Sequence, residues 1–255
     1  MRLRQLVLVT KEIDSLANKI CELFELKISF RDPELIHFGL ENRMIPVGDT
    51  FIEVVSPVQE NTSAERFLIK RNGPGGYMVI VSVEDIENEK RRIENENLKI
   101  IWHENRNVNG INAQALHLHP KQVGGAILSL DSMVPDSAWL WAGTNWQKDI
   151  NQSLVENLIG VVLQSHQPEK LCANWEVALG KKRAIGRDEL LIDLEKSKVK
   201  FIQEDDARGE GINAFILSTR KSDEIYKRAE ERGFIENDTI KLGGINFILS
   251  KTNNN

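Results

Sequence analysis

One order of elements, a strand, then a helix, then further strands, recurs four times along this chain, and that recurrence limits what it can fold into more than any other feature. Residues 3–10 alternate like a strand, and residues 12–24 place Ile13, Leu16, Ala17, Ile20, Leu23 and Phe24 on one helical stripe. Residues 42–47 and 51–55 read as strands joined by Gly48-Asp49-Thr50, and Pro57 closes the unit. The order returns with a strand at 77–83, a charged helix at 84–95, and strands at 98–102, 112–119 and 126–131. A third copy has a strand at 158–164, a helix at 169–179 ended by Gly180, and strands at 189–194 and 199–203. The fourth runs from a strand at 212–219 through a helix at 222–232, with Ser222 as N-cap, to a strand at 245–249. Val123-Gly124-Gly125-Ala126-Ile127 near the end of the second copy is echoed by Leu242-Gly243-Gly244-Ile245 in the fourth.

The copies group into two pairs, residues 1–131 and 154–251, with a connector at 132–153 and a frayed tail at 252–255. The connector carries Trp139, Trp141 and Trp146, which a solvated linker does not need, so it is expected to pack on the protein. Residues 60–76 are polar and Gly-rich with a helical turn at 64–69, and Gly73-Pro74-Gly75-Gly76 reads as a turn before a strand. The net charge of −5 lacks the clustered cations of a nucleic-acid binder. No run of about 18 apolar residues is present to span a membrane, and the N-terminus has no signal-peptide pattern. Cys21 and Cys172 read as buried thiols of a reducing, cytoplasmic setting.

Two stretches carry a further pattern: Pro46-Val47-Gly48-Asp49-Thr50-Phe51-Ile52-Glu53, and Leu118-His119-Pro120-Lys121 followed by Gly124-Gly125-Ala126-Ile127-Leu128. With the tandem units, they resemble the vicinal-oxygen-chelate superfamily of lactoylglutathione lyase, methylmalonyl-CoA epimerase, extradiol dioxygenases and antibiotic-resistance proteins. The resemblance implies an α+β fold of tandem βαβββ modules, paired into half-open, glyoxalase-like β-barrels that take a small-molecule ligand. It also implies a divalent metal held from the first and last strand of each module. Those slots fall on Gln5 and Glu53, Met78 and Ser129, Gly160 and Gln203, and Ala214 and Ile248. Only Gln5, Glu53 and Gln203 can ligate, so the centre is incomplete in the first pair and lost in the second.

His117 and His119 share one strand face and could complete a set with Glu53 for zinc, iron, manganese or nickel. The alternative is metal-free: Glu53, desolvated in the cavity, acts as general base and His119 steadies an enolate. Gln5, His117, Trp139, Trp141 and Arg43 are the candidate ligand contacts. His37, His103 and His166 read as strand-borne, surface and loop residues respectively. The expected activity is proton-transfer chemistry of lyase or isomerase type on a small polar metabolite. The competing expectation is non-catalytic binding or sequestering, as in antibiotic resistance. Four modules in one chain can complete each barrel internally, which suits a monomer or a homodimer.

Overall fold

The computed structural model describes residues 1–186, 189–204 and 206–252; residues 253–255 of the expected tail lie outside them. Its first module comprises β1 (Arg2–Val9), α1 (Ile13–Phe24), β2 (Leu40–Val47) and β3 (Thr50–Pro57). After α2 (Ser63–Arg71), the second contains β4 (Gly75–Ser82), α3 (Ile86–Asn95), β5 (Ile100–Val108), β6 (Ile111–Leu118), α4 (Pro120–Val123) and β7 (Ile127–Val134). The third consists of β8 (Leu158–Ser165), α5 (Pro168–Leu179), β9 (Leu191–Leu194) and β10 (Ser197–Gln203). The fourth has β11 (Gly211–Thr219), α6 (Ser222–Glu231), β12 (Ile235–Glu236), β13 (Thr239–Leu242) and β14 (Ile245–Lys251). The second and fourth modules carry the full βαβββ order; in the first and third, two strands follow the helix among the described residues.

Modules pair through their first strands. β1 runs antiparallel to β4, and each is flanked by the last strand of its own module in parallel, β3 beside β1 and β7 beside β4. β8 and β11 repeat this with β10 and β14. The two curled, unclosed halves join edge to edge where Ile212 meets Gly76. A Cβ on Gly76 would stand 2.5 Å from the Ile212 Cβ, so glycine is what lets the sheets touch.

Alternation divides the side chains between two environments, interrupted in β1 by a register shift between Leu3 and Gln5 that leaves Arg4 and Gln5 on the same side. Leu6 and Leu8 of β1, Ile52 and Val54 of β3, and Val79 and Val81 of β4 enter a core shared by both halves. The stripe of α1 and residues of α3, α5 and α6 complete that core. The opposite faces are concave. The first is packed with Val7, Phe51, Val55, Met133, Trp139 and Trp146; the second holds a small cluster of Val162, Ala214 and Ile216.

The connector folds against the first concave face. Trp139 is fully buried and stacks on Phe51 with ring centroids 6.1 Å apart, and Trp146 meets Phe51 edge-on at 4.9 Å. These three rings surround the buried Arg4 guanidinium at 4.9–5.8 Å. Burial pulls its pKa down to about 10, with nearby Arg2 adding to the effect.

Two segments differ from the sequence reading. Residues 33–38 form a 3₁₀ turn in place of a strand around His37. The Asp32 carboxylate caps it by accepting from the Glu34 N–H at 3.0 Å, and Pro33 opens it. β5 also runs six residues past 102 and turns at Asn109-Gly110, where both φ angles are positive, a hairpin turn that suits Asn-Gly.

Candidate functional site

A cavity of about 110 Å³ opens between the first concave face, the 3₁₀ turn and the β5–β6 hairpin. It has room for roughly four waters at about 30 Å³ each. Most polar groups in its wall are there by strand parity; Asp32 enters from the cap of the 3₁₀ turn and Trp141 from the connector. Gln5 alternates with the core residues of β1, Asn42 with those of β2, and Glu53 with those of β3. Asp131 and His117 do the same on β7 and β6, and Trp102, Glu104 and Arg106 share one face of β5. Larger grooves lie elsewhere, but among the described residues none brings buried carboxylates together.

At the floor, the Gln5 amide donates to Glu53 Oε2 at 2.7 Å and the Asn42 amide donates to Oε1 at 2.7 Å. Gln5 is itself oriented by the Trp139 indole N–H, which donates to its Oε1 at 2.9 Å. Burial dominates these donors and pushes the Glu53 carboxyl up to about 7, with the charge of Asp32 adding to the rise. Asp131 accepts from the Ser129 hydroxyl and, at 2.7 Å, from the Trp141 indole N–H. Burial lifts it to about 7 as well, and the Glu53 charge contributes. His117 is pulled down to about 4 by burial, partly opposed by Glu104, and stays neutral at pH 7. At the rim, Arg106 pairs with Glu104 at 3.2 Å and lies 5.5 Å from the Trp141 ring centroid.

Glu53, Gln5, His117 and Trp141 are therefore brought together. His119 is not: β6 ends at Leu118, Pro120 opens α4, and the His119 Nδ1 caps that turn by accepting from the Lys121 N–H at 3.1 Å. Arg43 falls on the helix-facing side of β2, where Asp14 of α1 binds it at 2.7 Å and Glu41 at 3.0 Å. Trp139 touches the site only through Gln5. Sequence reasoning missed Asn42, Asp32, the β5 residues Trp102, Glu104 and Arg106, and above all the buried acid Asp131. Its signal was parity, since it lies two residues beyond Ser129, on the same face of β7.

The donors do not fit a divalent metal. Among the described residues, no three of His, Cys, Asp or Glu converge as a ligand set. The Gln5 carbonyl is occupied by Trp139, both Glu53 oxygens take amide protons, and His119 faces away. The Glu53–His117–His119 set is thus excluded by the turn after β6. Among the described residues, no helix is long and apolar enough to cross a membrane.

No family model and no curated protein matches the sequence. Solved structures do match its fold. A hypothetical protein from Staphylococcus aureus superposes with a TM-score of 0.70 over 98% of this chain and 99% of its own, at 10% identity. A triple mutant of 4-hydroxymandelate synthase from Streptomyces coelicolor gives 0.66 over 91% and 75%, at 11% identity. Methylmalonyl-CoA epimerase from Mycobacterium tuberculosis matches half of the chain, with 51% and 87% covered, a TM-score of 0.45 and 20% identity. The fold is the one shared with the hypothetical protein and the synthase, an α+β arrangement of tandem βαβββ modules in a curled, unclosed sheet.

Proposed function

On this fold, we propose that the first module pair is a metal-free acid–base site acting on a small molecule, with lyase- or isomerase-type proton transfer. The observation that carries the proposal is the pair of buried carboxylates, Glu53 and Asp131, in the wall of one cavity. Two acids that interact and titrate near neutrality share protons, so one can serve as base while the other stays protonated. Glu53, held by two amide donors, takes the proton from a carbon next to a carbonyl. The C–H electron pair moves onto the carbonyl oxygen, and protonated Asp131 donates a hydrogen bond to it. Returning the proton to carbon completes an isomerisation; loss of a neighbouring group completes an elimination. Neutral His117 adds no positive charge that would hold the base ionised and weak.

Deuterium exchange at carbon, followed by NMR in D₂O, tests this with simple carbonyl compounds in place of the natural substrate. A panel of hydroxyacetone, pyruvate and aminoacetone spans neutral, anionic and cationic carbonyl compounds. The folded protein should accelerate exchange of at least one, and Glu53→Gln should slow it by about 10²–10⁴-fold, the usual contribution of a general base. Exchange no faster than in buffer for every member, or an unchanged rate in the variant, removes the mechanism.

A further inference from the structure

The cavity wall is short of positive charge. Asp32, Glu53, Glu104 and Asp131 line it against a single cation, Arg106, which is committed to Glu104. Among the described residues, neither Glu53 nor Asp131 has a Lys or Arg within ion-pair distance; their partners are amides, a hydroxyl and an indole. An isolated buried carboxylate is costly, and two in the wall of one cavity are costlier.

The apolar part of the wall sets three aromatic rings, Phe38, Trp102 and Trp141, among the aliphatic Leu35, Met78, Ile80 and Ala115. Phe38 and Trp102 meet edge to face at 4.9 Å at the mouth, and both keep more than a third of their surface exposed. The face of Trp141 already holds a cation, the Arg106 guanidinium. Ring faces and carboxylates without counter-ions are complementary to one kind of guest. Resting on the acid–base reading of this cavity, we propose that its ligand is a small organic cation, a primary or quaternary ammonium compound, rather than a carboxylic acid or thioester. Arg106 marks the place at the rim where such a positive group sits.

The sign of proton linkage follows. A cation favours the charged form of Glu53 and Asp131, so its binding expels protons at pH 7; an anion would need the acids protonated and would take protons up. Arg106 stays charged, and neutral His117 sits too far below pH 7 to take part. Asp32 and Glu104, the remaining charged groups in the wall, attract the cation without changing the sign.

Tetramethylammonium, pivalate and tert-butanol are near-isosteric cation, anion and neutral probes. Calorimetric titration at pH 7 in two buffers of different protonation enthalpy should show tetramethylammonium binding at least about tenfold more tightly than tert-butanol. It should release up to roughly one proton. Pivalate should not compete. Arg106→Gln, which removes the resident cation, should tighten tetramethylammonium several-fold. Asp131→Asn, with its fold checked by circular dichroism, should weaken it and reduce the proton release. Tetramethylammonium binding no tighter than tert-butanol, proton uptake, or weaker binding in R106Q each overturns the assignment. Anion-selective binding would do so while leaving the Glu53 mechanism standing. Failed carbon exchange across the whole panel would sink that mechanism without touching the cation result.

Discussion

The two halves share one framework and differ in what their concave faces carry. Their registers can be aligned pair by pair. Gln5 faces Ile80 across β1 and β4 as Gly160 faces Ile216 across β8 and β11. Glu53 sits beside Val7 as Lys200 sits beside Val162, and Asp131 sits beside Ser82 as Ser250 sits beside Ser218. The second half therefore has lysine at the place of Glu53 and serine at the place of Asp131. Lys200 lies on an open face, paired at 2.7 Å with Glu189. The outer wall differs too. The β5–β6 hairpin has strands of nine and eight residues, whereas β12 and β13 have two and four. With the shorter hairpin Ile248 is left 40% exposed, although Val162, Ala214 and Ile216 on the floor of the second face are buried. Perturbed acids need both a carboxylate at the right parity and a wall high enough to keep water out.

Substitution can break this contrast, and the largest effect should come from Trp139. Replacing it with Ala empties the space between Phe51 and Arg4 and strands the Gln5 carbonyl, for a loss of about 3–5 kcal/mol in denaturant titrations. A loss below about 1 kcal/mol would show that the connector does not hold up the first face.

The carboxylate pair should show itself as a pH profile. From about pH 4 to 7 the folded state keeps protons on Glu53 and Asp131 that the unfolded chain releases, so stability falls as pH rises through that window. His117 works the other way: from about pH 4 to 6.5 the unfolded chain holds a proton that the folded state lacks, so its contribution rises with pH. Two acids outweigh one imidazole, and the net trend is downward. The double variant Glu53→Gln, Asp131→Asn should reverse that slope and be more stable than the parent at pH 8 by about 2 kcal/mol. An unchanged slope would mean that neither acid is desolvated.

The smallest effect should be at the matching place in the second half. Lys200→Gln should cost less than about 0.5 kcal/mol at any pH, because an exposed pair contributes little. A cost above about 1 kcal/mol, or a strong pH dependence, would erase the distinction between the two faces.

Much of the site was legible in the sequence because parity is legible. Once residues 3–10 and 51–55 read as strands of one module, Gln5 and Glu53 had to share a side, and His117 followed from the same rule. What escaped detection lacked an apolar rhythm. Residues 103–107 of β5 are polar and mostly exposed, so no alternation marked them, and Asn109-Gly110 was the overlooked sign. Asp131 was passed over because the last-strand slot was set at Ser129, two residues short. His119 was misplaced because residues 112–119 read as one strand, although a proline after a polar residue also opens a helical turn and makes that residue its cap. Residues 33–38 had the same signature in Asp32-Pro33, hidden by the apolar Ile36 and Phe38.

The stacking of Trp139 on Phe51 has a consequence for any attempt to exchange the halves as cassettes. A crossover placed at residue 131 separates the glutamine that donates to Glu53 from the indole that orients it, and leaves an aromatic floor bare to water. A splice after residue 150 keeps ring, amide and carboxylate on one inherited piece. The stretch of chain that carries Glu53 together with its supports therefore ends some twenty residues beyond its last repeat.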